Sequence, residues 1–222
     1  MGTLYLVRHG QASFGADDYD VLSPLGQRQS VRLGEYFSAK GVQFEAALTG
    51  TLNRQIQTFA GICEGLGAPL AAVQWPGLNE YDSAAVIAAS HPGTLGKADT
   101  PELYKHHFRL LKAGLAQWMA GDCSPAGMPN HTSFVAGINS ALAHVAGHYT
   151  GDVLLVSSGG PIAMAVGHLL NASAGATIEM NMRIRNTSVT EFAFNPKGHR
   201  LLTYNTLPHL DAPQYASWVT YA

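Results

Sequence analysis

Short apolar runs alternate with helical segments along this chain, and this alternation limits the choice of fold more than any other feature. The runs Leu4–Val7 and Val153–Val156 are apolar throughout, which is typical of strands covered on both faces. Helical crossovers between such strands lie over both faces of the sheet that the strands form. The sequence therefore predicts an α/β fold, a three-layer α/β/α sandwich whose mostly parallel sheet is flanked by helices.

Cap and turn signals predict where the other elements begin and end. Ser23 and Pro24 suit the N-cap and first turn of a helix, and Gly41 suits its end. Further helices are predicted from near Thr51 and over Pro101–Met119, Phe134–Tyr149 and Ile162–Leu170, and further strands over Glu45–Leu48, Val189–Phe194 and Leu201–Tyr204.

Composition narrows the function classes. A chain of 222 residues that is 46% hydrophobic is expected to form one domain with one well-buried core. Its formal net charge of −2 is not that of a nucleic-acid binder. The first strand begins almost at the N-terminus and no apolar stretch is long enough to span a bilayer, so no signal peptide and no membrane association are expected. The default expectation is a soluble cytoplasmic protein, and two cysteines fit a reducing compartment.

A cationic side chain and an imidazole follow the first predicted strand directly. Arg8, His9 and Gly10 come immediately after the apolar run, and ligands gather at such carboxyl ends in open α/β sheets. Arginine stays charged and its planar fork can hold two phosphoryl oxygens, while an imidazole nitrogen can attack phosphorus. The tripeptide therefore indicates a phosphate site around a nucleophilic histidine.

Further motifs follow the tripeptide in a set order and spacing. With it they form the blocks Leu4–Gln11, Leu22–Gln29, Thr49–Thr58, Leu78–Asp82, Val153–Gly160, Asn186–Ser188, Asn205 and His209–Leu210. Together these blocks resemble the histidine phosphatase superfamily, the phosphoglycerate-mutase-like proteins. The resemblance runs from about Thr3 to about Leu210, within a single domain of residues 1–222.

The resemblance implies a role for particular residues. His9 would attack the phosphoryl group, Arg8 and Arg54 would clamp its oxygens, and Glu80 rather than Asp82 would protonate the leaving alcohol. Gln11 and Gly159 would join the phosphate site, the latter through a backbone amide at a helix start. The sign of the pKa shift of His9 stays open, because flanking arginines and a bound phosphate act in opposite directions.

One position departs from the family pattern. The strand that ends in Val-Ser-His-Gly-Gly in the family reads Val156-Ser157-Ser158-Gly159-Gly160 here, so the second active-site histidine is missing. Ser158 would take this place at the phosphate site, where its hydroxyl is shorter and neutral and can donate only one hydrogen bond. Losing one charged donor typically costs about a hundred- to a thousandfold in rate. Ser158, a backbone amide or another histidine would then cover part of the loss. The expectation is a slow, metal-independent phosphatase, with a phosphate-binding or interaction protein of the same fold as the alternative.

The substrate is left open between a small phosphorylated metabolite and a phosphoprotein, and a homodimer is left open as the assembly. Mutase activity is disfavoured, because the interval Phe14–Asp20 lacks the tryptophan-containing block of true phosphoglycerate mutases. A variable insertion at about residues 81–131 is either a lid over the pocket or a surface excursion.

The remaining histidines do not predict a metal site or any other cofactor. They lack the spacing of a zinc motif, and His106 and His107, being adjacent, would point to different sides of a helix. The other histidines, apart from His9, are expected in surface or structural roles, including His209 near the end of the chain.

Overall fold

The computed structural model describes residues 1–13, 20–91, 93, 96 and 100–221. For Pro101 it describes the backbone and not the side chain. Within this part, the helices are α1 Pro24–Ala39, α2 Asn53–Leu66, α3 Ser83–Ser90, α4 Pro101–Ala120, α5 His131–His148, α6 Gly159–Leu169 and α7 Ala174–Arg183. The strands are β1 Gly2–Arg8, β2 Phe44–Thr49, β3 Ala72–Gln74, β4 Asp152–Ser157, β5 Val189–Asn195 and β6 Gly198–Thr206, and short 3-10 helices cover Pro76–Leu78, Pro208–Leu210 and Pro213–Trp218.

The strands form one sheet in the order β3-β2-β4-β1-β5-β6. The pairings from β3 through β2 and β4 to β1 are parallel, whereas β5 runs antiparallel to both β1 and β6. The mostly parallel sheet predicted from the alternating pattern is confirmed. The tight turn before Gly198 explains why β6 runs antiparallel to β5, because a hairpin can only join strands of opposite direction.

Helices cover both faces of the sheet, as predicted. On one face, Leu33 and Phe37 of α1 and Ile62 of α2 pack against Val7 and Val156. On the other, buried side chains of α4, α5 and α6 surround Leu4, Leu6, Leu48, Val153 and Leu155. Burial on both faces explains why these strands are apolar throughout.

Local cap chemistry sets the start of α1. The Ser23 side chain accepts a hydrogen bond from the backbone N–H of Gly26, and Pro24 occupies the first turn. The helix ends at Ala39, and Gly41 follows in the left-handed conformation with a φ of 68°. This helix therefore begins and ends close to the predicted residues.

The C-terminal segment packs against α1 of the same chain. Arg28 lies over the ring of Trp218 at 5.2 Å, and Arg32 lies over the ring of Tyr215 at 5.0 Å. The backbone carbonyl of Trp218 accepts a hydrogen bond from Gln29. The aromatic residues near the C-terminus thus contribute to packing within the chain.

Candidate active site

The carboxyl ends of β1, β4 and β2 lie side by side and carry the candidate residues. Arg8 pairs with Ser157 across the parallel β1–β4 ladder, and the backbone N–H of Gly50 bonds to the carbonyl of Val156. Chain segments leaving these strand ends therefore meet at one edge of the sheet. This edge brings His9, the start of α2 and the start of α6 together, which is the position where open α/β sheets bind ligands.

His9 is buried, with 3% of its surface exposed, and its hydrogen bonds define its tautomer. Its Nδ1 lies 2.7 Å from the carbonyl oxygen of Gly10, which can only accept, so Nδ1 carries the proton. Its Nε2 lies 3.3 Å from the Nε of Arg54, which can only donate. The imidazole is therefore neutral and presents the Nε2 lone pair to the site.

The pKa of His9 lies well below its ordinary value of 6.5. Burial is the largest cause, followed by the positive charges of Arg8 and Arg54. This direction answers, for the protein without a ligand, the question that the sequence left open. A neutral imidazole at neutral pH is the form that can act as a nucleophile.

Arg54 comes from the first turn of α2 and is held by an acidic residue as well as by His9. Its guanidinium donates to Asp20 Oδ1 at 2.6 Å, and Asp20 Oδ2 accepts from the backbone N–H of Asn53 at 2.9 Å. Asp20 thus links the start of α2 to the arginine side chain. The orientation of Arg54 toward His9 depends on this charge-assisted contact.

Arg8 approaches the site from the end of β1. It is 4% exposed, and it donates from one terminal nitrogen to the backbone carbonyl of Ile184 at 2.5 Å. Its backbone N–H bonds to Ser188 at 3.1 Å. Arg8 is the last residue of β1 and directly precedes His9, so these contacts hold the Arg8 guanidinium beside His9.

Glu80 is held by the N-terminal turn of α6. Both of its carboxylate oxygens lie 3.1 Å from the backbone N–H of Gly160. A Cβ atom at position 160 would lie 2.1 Å from Glu80 Oε1, so only glycine permits this approach. Burial raises the pKa of Glu80, although the Gly160 N–H and both arginines oppose that shift.

Two of the residues expected at the phosphate site have other partners. Ser158 is 0% exposed, and its hydroxyl oxygen accepts a hydrogen bond from Gln55 Nε2 at 2.8 Å. Gln11 Oε1 accepts from Ser23 Oγ at 2.8 Å, beside the start of α1. Among the residues that the structure describes, neither Gln11 nor Ser158 lines the cavity at this edge.

A cavity of about 320 Å³ opens beside His9. The candidate residues on its wall are Arg8, His9, Arg54, Glu80 and Gly159, and the other lining residues are Tyr81, Ser83, Ile87, Tyr104, His107, Phe108, Leu111, Asn181, Met182 and Ile184. Seven of the ten residues in this second set come from α3, α4 and the residue Tyr81 before them, within the insertion predicted over residues 81–131. The described part of that insertion therefore contributes to the cavity wall, while the interval Phe14–Tyr19 lies outside the described residues.

Several contributors to the site carry no sequence signal that identifies them. Asp20 lies in a polar segment, Gln55 lies in the Thr49–Thr58 block without an implied role of its own, and His107 belongs to no motif. Asn181 lies on α7 and donates to the Tyr81 hydroxyl at 2.7 Å, although the two are distant in sequence. The only available clue was the helical spacing that places Tyr104, His107, Phe108 and Leu111 on one face of α4.

The late blocks of the sequence support the backbone of His9. The carbonyl of His9 accepts hydrogen bonds from the Asn186 side chain at 3.2 Å and from the Thr187 N–H at 3.3 Å. Thr187 has a φ of 54°, which is unusual for a β-branched residue, and its hydroxyl lies 3.0 Å from His209 Nε2. His209 therefore has the structural role expected from the sequence, next to a strained residue that contacts the site.

Burial keeps the ring of His209 neutral. The Thr187 hydroxyl donates to the carbonyl of Asn186, so it accepts from His209 Nε2. Within the described part of the chain, the buried Nδ1 of His209 has no hydrogen-bond partner. Burial and then the charge of Arg32 lower the pKa of His209 to about 3.

Acid is expected to destabilise the protein through His209. The unfolded state binds a proton near pH 6.5 that folded His209 binds only near pH 3, so its stabilisation is complete above pH 6.5 and is lost as pH falls between these values. Lowering pH from 7.5 to 5 should cost the unmodified protein about 2 kcal/mol more than His209→Gln. Urea unfolding at both pH values measures this difference, with His148→Gln, on the exposed end of α5, as the control. Identical pH slopes for the unmodified protein and His209→Gln would contradict the assignment.

No group of three or more histidine, cysteine or acidic side chains lies close enough to hold a metal ion in the part of the chain that the structure describes. Cys63 and Cys123 are free thiols. Among the described helices, none combines the length and apolar character needed to cross a membrane.

Comparison with known proteins agrees with the observed fold. Solved structures with the same fold include a phosphoserine phosphatase from Entamoeba histolytica (18% identity, 95% of this chain and 100% of that one, TM-score 0.65) and a phosphoglycerate mutase from Bacillus anthracis (18%, 94% and 94%, 0.64). A mycobacterial glucosyl-3-phosphoglycerate phosphatase is also similar (21%, 93% and 99%, 0.63). A search of curated proteins by sequence finds no significant match.

A family model provides the assignment that these distant structural likenesses cannot provide alone. The model of the histidine phosphatase superfamily (branch 1) matches residues 4–207, nearly the whole described chain. That range contains Arg8, His9, Arg54 and Glu80. The protein belongs to the histidine phosphatase superfamily, branch 1.

Proposed function

We propose that this protein hydrolyses phosphomonoesters through a phosphohistidine formed on His9. The observation that carries the proposal is the neutral His9 ring, whose Nε2 lone pair lies beside the Arg54 guanidinium in a cavity that Arg8 and Glu80 also line. The pattern of nucleophile, cationic clamp and nearby acid is that of metal-independent phosphoryl transfer. Two structural relatives, a phosphoserine phosphatase and a glucosyl-3-phosphoglycerate phosphatase, support the same reaction class.

In the first step, the phosphoryl oxygens take over the contact that Arg54 makes with His9 Nε2. Arg8, Arg54 and the Gly159 backbone hold those oxygens, and the freed lone pair of Nε2 attacks phosphorus. The bond from phosphorus to the ester oxygen breaks as the new bond from nitrogen to phosphorus forms. The electron pair of the broken bond leaves with the alcohol oxygen, which must gain a proton.

Glu80 supplies that proton. Its raised pKa favours the protonated carboxyl at a pH where ordinary carboxylates are ionised, and an incoming phosphate dianion raises that pKa further. In the second step, the Glu80 carboxylate accepts a proton from water as the water oxygen attacks phosphorus. The bond between nitrogen and phosphorus breaks, and inorganic phosphate and neutral His9 are produced.

The reaction is expected to be slow, because the site lacks the family's second histidine. The Ser158 hydroxyl is neutral, so it offers the phosphoryl group no charge. It is also buried and accepts a hydrogen bond from Gln55. The loss of one such donor costs roughly 2.7 to 4 kcal/mol of transition-state stabilisation. A small phosphorylated metabolite is the proposed substrate, and phosphate binding without turnover is the competing function.

Turnover and a covalent intermediate test the proposal together. Phosphate release from a generic aryl phosphate is measured between mildly acidic and neutral pH in the presence of a metal chelator, and the phosphoenzyme is trapped by rapid denaturation. We expect metal-independent turnover and a trapped phosphoryl group that survives alkali and is lost in acid, as expected for phosphorus bonded to nitrogen. A folded protein that binds phosphate but shows neither signal would be a phosphate-binding member of the family.

Restoring a histidine at position 158 is expected to raise turnover. Ser158 follows the β4 residue that pairs with Arg8, and the backbone N–H of His9 bonds to the carbonyl of Ser157 at 2.9 Å, so a longer imidazole at 158 could extend to the phosphoryl group. Ser158→His should raise kcat for an aryl phosphate by about tenfold or more. Ser158→Gln, which adds bulk without a charge, is the control. A folded Ser158→His protein with an unchanged rate would show that position 158 does not take the place of the missing donor.

A further inference from the structure

The side of the cavity that α3, α4 and the end of α7 form is predominantly apolar. Five of its lining residues are Ile87, Tyr104, Phe108, Leu111 and Met182. The rings of Tyr104 and Phe108 lie one turn apart on α4, with centroids 5.0 Å apart. This surface faces the same cavity as Glu80, so it lies where the alcohol of a bound ester would extend.

Among the described residues, the arginines on this wall are Arg8 and Arg54, and no lysine lines it. Both arginines are directed to the phosphate end, since Arg54 contacts His9 and Arg8 contacts the carbonyl of Ile184. Nearby charges on the outer surface, Lys112 and Glu179, pair with each other and do not line the cavity. A second anionic group on the substrate would therefore find, within the described part of the chain, no further arginine or lysine to offset the loss of its hydration.

We propose, resting on the phosphatase function above, that the preferred substrate is a compact phosphomonoester of an uncharged, aromatic or bulky apolar alcohol. The cavity is near the lower end of the roughly 300 to 1,000 Å³ range of small-molecule sites, which suits one ring or a short branched chain. The aromatic face of α4 contacts that group, while the arginines and Glu80 act on the phosphate. Phosphoesters that carry a carboxylate or a second phosphate are poor substrates.

His107 is the polar exception on this face. Its Nε2 is buried and has no hydrogen-bond partner in the described part of the chain. A buried nitrogen of this kind is normally satisfied by a ligand or an ordered water. We assign it to an oxygen of the uncharged alcohol, and the experiment below also tests the opposite assignment, in which His107 binds a second anion.

Three alkyl phosphates with similarly basic leaving groups separate recognition from chemistry. They are 2-phenylethyl phosphate, ethyl phosphate and 3-phosphoglycerate. We expect kcat/KM for 2-phenylethyl phosphate to exceed that for 3-phosphoglycerate by about a hundredfold.

Phe108→Ala should lower kcat/KM for 2-phenylethyl phosphate by about tenfold, with a smaller loss for ethyl phosphate. Leu103→Ala, a change on the same helix at a residue 38% exposed and outside the cavity, is the matched control.

A binding measurement keeps the substrate class testable if turnover fails. Calorimetric titration with 2-phenylethylphosphonate and with phosphonoacetate requires no catalysis, and the phenylethyl compound should bind about tenfold or more tightly. Tighter binding without turnover would support the substrate class and overturn the phosphatase function. Turnover with a preference for 3-phosphoglycerate would overturn the substrate class and keep the function. If His107→Leu removed that preference, His107 would be the partner of a second anion.

Discussion

Replacing His9 with alanine is expected to abolish phosphate release, by about a thousandfold or more in kcat. The substitution removes the Nε2 lone pair that attacks phosphorus, and no covalent intermediate can form in its place. Arg8 and Arg54 remain, and they lose a neighbour that they do not need for anion binding. Phosphate affinity should therefore persist while turnover disappears.

The measurement is phosphate release from an aryl phosphate under chelation, together with calorimetric binding of inorganic phosphate. His148→Ala, at an exposed histidine in the last turn of α5, is the control for a general effect of removing an imidazole. Turnover retained in folded His9→Ala would show that another group is the nucleophile. Loss of phosphate binding together with turnover would mean that His9 also organises the arginine clamp.

Replacing Glu80 with glutamine is expected to give a loss that depends on the leaving group. Hydrolysis of an alkyl phosphate should fall about a hundred- to ten-thousandfold, because an alkoxide needs a proton as it departs. Hydrolysis of a nitrophenyl phosphate should fall far less, because nitrophenolate leaves without help. Glutamine keeps the size of the side chain but cannot transfer a proton.

The pH dependence of kcat tests proton donation by Glu80 in a second way. Because burial raises the pKa of Glu80, the unmodified protein keeps its acid protonated to a higher pH than an ordinary carboxyl would. With an alkyl phosphate, kcat should fall as pH rises through that pKa, and Glu80→Gln should lose this limb.

Asp82 offers a matched control for Glu80. It lies two residues away and caps α3 by accepting hydrogen bonds from the backbone N–H groups of Ala84 and Ala85. Asp82→Asn should leave the dependence on the leaving group intact. Equal losses of Glu80→Gln on alkyl and nitrophenyl esters would contradict a general-acid role and indicate that Glu80 only shapes the site.

The elements predicted well from the sequence are those whose signals are local. The helix that begins after Ser23 is set by a hydrogen bond to a residue three positions later, and the buried strands are apolar throughout. The elements that were not predicted are short. Strand β3 has three residues and depends on its pairing with β2, whereas α3 and α7 have 8 and 10 residues and pack against α4 and α6.

The residue types of the reaction could also be predicted, because phosphoryl transfer requires a nucleophile, fixed cations and an acid. The surroundings of those residues could not. The Gln55 side chain donates a hydrogen bond to Ser158, which lies 103 residues away in the sequence. Asp20 accepts a hydrogen bond from Arg54, which lies 34 residues away. Sequence spacing carries no information about such contacts, because each arises only when separate strand ends meet.

The sequence by itself determined the α/β class, the position of His9 at a strand end and the family to which the chain belongs. These follow from apolar periodicity and from an ordered set of motifs along the chain. Only the tertiary structure decided the direction of the pKa shift of His9, the burial of Ser158 and the presence of His107 in the cavity. Burial, charge proximity and cavity shape depend on distances between residues remote in sequence, and those distances exist only once the layers have packed.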